Sequence, residues 1–252
     1  MWIFEAPKTY VEMCKKISQA VFYVTFMEIF ILSQVSEDFA SLMKTISFNT
    51  ETEVIGIKLY VAYIYIPIIV SVLENIFKLH DHIGKIFNLR SKYSGRYMLK
   101  AYIDELQIKT SMSFDDIYNI YQKNNGLRKK VGNHFYHYVS DTNIKIDAHY
   151  VHMALDSWCW VWILIDTVAV TFVFLLLILT LKIWGWNISY WLFLGLMVYI
   201  AFLLIICHVQ LVINCKEYTL REIHLAVKKD KEENKNLKNK ELKEAIEKCI
   251  MK

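Results

Sequence analysis

The sequence predicts an all-α, polytopic membrane protein with four transmembrane helices, a small helical cytosolic module and a charged helical tail. Three observations carry this. Hydrophobic residues make up 55% of the chain and charged residues 21%, which is more apolar and less charged than ordinary soluble domains and excludes a disordered chain. Only 7 Gly and 2 Pro are present, too few for a turn-rich β-sandwich or a fold built on glycine fingerprints. The apolar residues are also gathered into four long stretches instead of being spread along the chain.

Taken in order, residues 1–16 form a short cytosolic terminus with Lys8, Lys15 and Lys16. Residues 17–78 hold the first helix pair. Its first member, Ile17 to Val35, carries Glu28; the second, roughly Val54 to Phe77, carries Lys58, Pro67 and Glu74. Residues 158–214 hold the second pair. One member runs from about Trp158 to Trp184, with an unbroken apolar and threonine run from Thr167 to Leu181. The other runs from about Ile188 to Asn214 and meets no charge until Lys216. About 20 residues at 1.5 Å rise cross a hydrocarbon core of roughly 30 Å. The second pair meets that length cleanly, whereas the first is more polar. No small-x-small site follows the first stretch, so it reads as a retained signal anchor.

Basic residues orient the spans. Eleven Lys or Arg lie between Leu79 and Ser157 and eleven more follow Asn214, whereas the connection Ser36–Glu53 holds only Lys44 and the turn Gly185-Trp186-Asn187 holds none. The positive-inside rule then places both termini and residues 79–157 in the cytosol. Trp158, Trp160, Trp162, Trp184, Trp186, Tyr190 and Trp191 sit at span ends, where interfacial aromatics belong. Asn187-Ile188-Ser189 has the form of a glycosylation sequon but reads as a turn before the fourth span. The five cysteines, Cys14, Cys159, Cys207, Cys215 and Cys249, form no CxxC pair; they read as reduced thiols, not as a disulfide scaffold or structural zinc site.

The cytosolic module, residues 79–157, reads as helical. Ser113 with Asp116 three positions on is a capping pattern for a helix carrying Ile117, Ile120 and Tyr121. Asn124-Asn125-Gly126 stops it, and a second helix holds Phe135, Tyr136 and Val139. Asp141 or Thr142 caps a third, which passes Ile144, Val151 and Leu155 and runs into the span at Trp158. The tail, residues 215–252, alternates Lys and Glu from Lys228 onward, with Leu237, Leu242, Ile246 and Ile250 at helical spacing. It reads as an amphipathic helix that is solvated or, alternatively, joins copies of the chain.

Three constellations are candidates for function. Glu28, Lys58 and Asp166 are ionisable residues within the apolar stretches, where a mid-bilayer charge costs about 2.5–3.5 kcal/mol. They make either structural pairs or a polar stripe along an ion path, in which Glu28 and Asp166 attract cations and Lys58 reaches toward Glu28. Six histidines, His80, His82, His134, His137, His149 and His152, lie in the module. Two H-x-x-H pairs share helix faces, and such imidazoles with nearby carboxylates are able to hold a divalent metal such as zinc or manganese. No H-E-x-x-H accompanies them, and ordinary packing remains the simpler reading. Lastly, Arg128, Lys129 and Lys130, with Tyr118, Tyr121, Phe135 and Tyr138, combine cations for phosphates with rings for bases. A nucleotide or single-stranded nucleic acid needs that combination, although the same residues also fit a tyrosine-packed core beside anionic lipid. No nucleophile elbow, P-loop or G-x-G-x-x-G is present, so an enzyme is disfavoured and no cofactor is expected beyond a possible divalent metal.

In outline, over the whole chain, this layout resembles the small membrane effectors of bacterial anti-phage defence, such as those of nucleotide-signalling systems, retrons and the Hailong system. In those systems a few spans carry a compact cytosolic sensor, and activation permeabilises the inner membrane. The resemblance implies a regulated pore. The stretch from His80 to Phe87 followed by Arg90 is too particular to be filler, and the resemblance attaches no function to it. The sequence reading is therefore an inner-membrane homo-oligomer forming a ligand-gated ion-conducting pore in contact with lipid. The alternatives are a membrane metalloenzyme using the histidines and a non-conducting anchor for a soluble partner.

Overall fold

The computed structural model describes residues 5–48, 51–54, 57–140, 143–186, 189–233 and 236–250. In chain order its elements are α1 (Tyr10–Val35), α2 (Glu37–Ile46), a hairpin of β1 (Glu51–Val54) and β2 (Ile57–Tyr60), α3 (Ala62–Phe77), α4 (Leu79–Ile86), α5 (Arg96–Glu105), α6 (Phe114–Lys123), α7 (Asn125–Val139), α8 (Ala148–Ile183), α9 (Tyr190–Gln210), α10 (Lys216–Glu233) and α11 (Leu237–Ile250). Short π-helical turns, Arg90–Gly95 and Leu211–Cys215, lead into α5 and α10. The chain divides into two compact units. One comprises Met1–Glu5, Val11–Ile83 and Cys159–His208; the other comprises Ala6–Tyr10, Gly84–Trp158 and Val209–Lys252.

The first unit contains the long apolar helices. Met13, Ile17, Ala20, Val21, Ile29 and Leu32 of α1 are buried, while Val11, Tyr23, Met27, Ile31 and Val35 are exposed. A helix apolar on both its packed and its open faces is suited to lipid. Among the described residues, three helices (α1, α8 and the run beginning with α9) are long and apolar enough to cross a membrane. A fourth span exists only if α3 and α4, bent by 57° from one another, count as one. Alone, the 16 residues of α3 reach about 24 Å at 1.5 Å each, short of a hydrocarbon core. On α9 most apolar side chains are bare, among them Leu194, Val198, Phe202 and Ile205.

The helix of the second apolar stretch starts later than its hydropathy suggests. Strands β1 and β2 pair antiparallel, with Glu51 opposite Tyr60 and Glu53 opposite Lys58. Thr52, Val54, Ile57 and Tyr60 favour strand, and the helix begins only at Ala62, whose N–H donates to Ser47 Oγ at 2.9 Å. Lys58 therefore sits on a strand, not in a transmembrane helix; its side chain lies outside the described residues. Ser18 on α1 and Ser71 on α3 join those helices through mutual hydroxyl and carbonyl hydrogen bonds at 2.9 Å.

The second unit has a separate core of Leu99, Tyr102, Ile117, Tyr121, Leu127, Val131, Tyr138, Ile223, Ala226, Leu242 and Ile246. Ser113 caps α6 as expected: its Oγ accepts from Asp116 N and donates to Asp116 Oδ2. Asn124 ends α6 and caps α7 by accepting from Leu127 N at 3.0 Å. The next helix begins at Ala148, beyond the expected start, with Asp147 Oδ1 accepting from His149 N. Asp141 and Thr142, the expected caps, lie outside the described residues, as do Asn187 and Ile188 of the sequon. The tail is two helices, because Asn236 takes a left-handed turn (φ 65°) between α10 and α11. The apolar face of α11 packs on α6, α7 and α10 of its own chain, which uses the surface expected to meet solvent or another copy.

Candidate functional site

Three ionisable groups of the first unit, Glu74, His80 and Asp166, converge where α3 meets α4. Lys78, in the left-handed conformation (φ 48°), ends α3 and turns the chain into α4. That turn brings the start of α4 back over Glu74. Glu74 Oε2 accepts from Leu79 N at 2.9 Å, and Glu74 Oε1 lies 2.7 Å from His80 Nδ1. From α8, Asp166 Oδ2 reaches to 3.6 Å of the same nitrogen. The His80 ring packs against Trp162, one helical turn before Asp166, at 5.7 Å between centroids. All three ionisable residues are buried, Asp166 completely. Both Asp166 carboxylate oxygens and His80 Nε2 make no hydrogen bond of good geometry, with His80 and Cys14 their neighbours at longer range. Unpaired polar atoms of this kind are rare in folded proteins and ask for an explanation.

A second polar contact lies farther along α8. Thr171 Oγ1 is 2.5 Å from Glu28 Oε1 and 2.8 Å from the Thr167 carbonyl, so its one proton serves two acceptors. Glu28 Oε2 has no partner. Thr25, Glu28, Asp166, Thr167 and Thr171 are all buried. The five residue steps from Asp166 to Thr171 span about 7.5 Å of helix axis. A discontinuous line of polar groups thus runs from the Glu74–His80–Asp166 cluster to Glu28 inside apolar surroundings. Lys16, expected in the cytosolic terminus, is buried; its Nζ donates to the Glu5 carbonyl at 3.1 Å and lies 4.9 Å over the Trp160 ring.

Sequence reasoning named Asp166 and His80 but assigned them to different constellations, and it treated Glu74 as a feature of a span without a role. The remaining histidines are scattered. His82 and His149 are exposed, and His152 is half-buried. His134 is buried, with Nδ1 2.8 Å from the Tyr102 hydroxyl. His137 Nε2 lies 2.7 Å from Lys145 Nζ, which suits an imidazole acting as acceptor and leaves no room for a cation there. Among the described residues the one cluster of three potential metal ligands is Glu74, His80 and Asp166.

The second unit contains a cavity of about 280 Å³ lined by Lys130, Asn133, His134, His137, Lys238, Glu241 and Leu242. Burial holds His134 down to about 4. His137 is lowered by burial and by the charges of Lys238 and Lys145. Burial and Lys145 lower Lys238 in turn. Lys130 and Lys238 give the cavity positive charge, opposed in the lining by Glu241 alone, which favours an anion. Lys130 of the expected basic trio lines this cavity. Arg128 and Lys129 are exposed outside its lining. Tyr118, Tyr121, Phe135 and Tyr138 are buried in the unit's core, with Phe114, Tyr118 and Tyr121 stacked in series. Their packing is that of a core, and a base could stack on them only after the core had opened.

In comparison with known proteins, the sequence model of the YmfE protein family matches residues 9–242. No curated protein and no solved structure matches the chain.

Proposed function

The chain belongs to the YmfE protein family, and for this member we propose a regulated cation pathway across the inner membrane, built by several copies of the chain. The observation that carries the proposal is the buried polar line of Glu74, His80, Asp166, Thr167, Thr171 and Glu28 within a unit whose other interior groups are mostly apolar. Ionisable groups in such surroundings are expensive, and in membrane proteins they mark ion and proton routes. In this reading α1, the bent pair α3–α4, α8 and α9 cross the bilayer, and both termini and residues 79–157 face the cytosol with most of the lysines and arginines. Glu28 and Asp166 attract the cation. Association of copies supplies the width that four helices lack. The basic cavity takes an anionic ligand such as a nucleotide or oligonucleotide. Because α8 is one unbroken helix from Ala148 to Ile183, strain placed on its first turns is carried along its length. The likeness of layout to anti-phage effectors supports a setting in which opening arrests the infected cell.

The test is cation flux into proteoliposomes holding the purified full chain, with and without added nucleotides and oligonucleotides. Wild type should pass cations, while Glu28→Gln and Asp166→Asn should lower the flux at least tenfold with helicity and particle size unchanged. Wild type that stays tight under every condition would leave a non-conducting membrane anchor as the better description.

A further inference from the structure

We infer that Glu74, His80 and Asp166 bind a divalent first-row transition-metal ion. The inference goes beyond the proposed pathway and does not depend on conduction. Charge is the first argument. Two carboxylates in an apolar interior leave a surplus of negative charge that an imidazolium only half offsets, whereas a dication brings the set to neutrality. The cost of burying unbalanced charge is relieved either by a proton kept within the set or by such an ion, so the balance allows the metal and geometry must argue for it. Geometry is the second. One donor atom from each residue lies within 4.8 Å of the others. His80 Nδ1 is 2.7 Å from Glu74 Oε1 and 3.6 Å from Asp166 Oδ2. Ligands bonded to one ion at about 2.0–2.2 Å stand roughly 3–3.5 Å apart, so small side-chain adjustments close the site. The third argument is the pair of Asp166 oxygens, fully buried and without a hydrogen bond of good geometry. They are turned toward a histidine that already holds a second carboxylate.

The donor set narrows the ion. An imidazole nitrogen with two carboxylates suits zinc, manganese or ferrous iron, whereas calcium and magnesium prefer oxygen alone and cuprous ions prefer sulfur. On binding, bonds form from the ion to Nδ1 and to the carboxylate oxygens. The proton that Nδ1 of the imidazolium shares with Glu74 leaves to water, and Nε2 keeps its own. The left-handed turn at Lys78 is what allows Glu74 and His80, six residues apart, to present both donors to one point.

The experiment uses the full chain in detergent, stripped with a chelator and dialysed against zinc, manganese or, without oxygen, ferrous iron. Bound metal is counted by mass spectrometry. One ion per chain is expected for at least one of the three metals, with affinity reduced at least tenfold in Glu74→Gln, His80→Gln and Asp166→Asn and unchanged in His82→Ala and His149→Ala. X-ray absorption on wild type, which needs no variant to fold, should show nitrogen and oxygen neighbours only. Wild type that takes up no metal above the dialysis buffer, metal retained by all three ligand variants, or a sulfur shell would each overturn the assignment. The count is made where no flux exists, so a metal-loaded but non-conducting protein would contradict only the pathway.

Discussion

Thr171 holds its hydroxyl 2.5 Å from Oε1 of Glu28, so two helices 143 residues apart in sequence meet through a polar contact inside an apolar unit. Thr171→Val keeps the shape and removes the donor. Both Glu28 oxygens would then be unpartnered, since Oε2 has no bond in the native chain. The expected loss is about 1–3 kcal/mol, read as a lower denaturant midpoint in micelles. Adding Glu28→Leu to that variant should recover part of the loss, because two apolar groups leave nothing unsatisfied. A double variant as weak as the sum of the singles would show that the contact contributes no coupling.

Asp230 ties the last two helices to α7. Its oxygens accept from the Tyr138 hydroxyl at 2.9 Å and from Asn239 N at 2.8 Å, and its side chain is fully buried. Asp230→Ala should cost about 3 kcal/mol through two stranded donors. The first effect should be local: α11 loosens, and trypsin cuts at Lys238 and Lys240 many times faster than in wild type. Unchanged digestion would mean that apolar packing alone retains this helix.

Acid should weaken the second unit through His134. Above pH 6.5 the imidazole is neutral whether the chain is folded or not. As pH falls, the unfolded chain takes up a proton near 6.5, while burial holds the folded group down to about 4. Stability is therefore complete above 6.5 and is lost between there and about 4, by an amount on the order of 3 kcal/mol. Glu222 acts in the opposite sense. Burial raises its pKa well above 4.5, so its contribution is complete below 4.5 and is lost as pH rises through the raised value. Thermal midpoints against pH should lose their acid slope in His134→Gln and their loss on the rising side in Glu222→Gln. An acid slope that persists in His134→Gln would assign it to other groups.

The basic cavity predicts a simple binding contrast. Inorganic triphosphate, titrated calorimetrically, should bind at least tenfold more weakly to Lys238→Glu, which inverts a charge in the lining. Arg128→Ala should bind as wild type does, because Arg128 lies outside that lining and makes a hydrogen bond to Asn125 within its own helix. Equal losses in both variants would point to diffuse attraction by the surface.

How much was readable beforehand depended on whether the signal was local. The helices α1, α8 and α9 announce themselves by apolar length, and Ser113 and Asn124 announce caps by residue type. The hairpin did not, because Ile57, Leu59 and Tyr60 continue the hydropathy of the following helix and only their β preference separates them. The cluster was less readable still. Its hinge is Lys78, a lysine at φ 48° where glycine would have been the usual signal. Read as continuous helix, Glu74 belongs to a span and His80 to a soluble module. Only the turn makes them neighbours, and only the fold adds Asp166. The tyrosines left two readings open, a stacking surface and a packed core, because composition counts rings and cannot say which are buried; burial of Tyr118, Tyr121 and Tyr138 agrees with the core.

The bare surface of α9 has a practical corollary. Its 21 residues from Tyr190 to Gln210 make a rod of about 32 Å, nearly the hydrocarbon depth of an ordinary bilayer. Little of the rod is clamped by its own chain, so its tilt is left to the surrounding acyl tails. Reconstitution in lipids of graded chain length should then shift the angle of this helix before any other, making it the element through which membrane thickness reaches the protein.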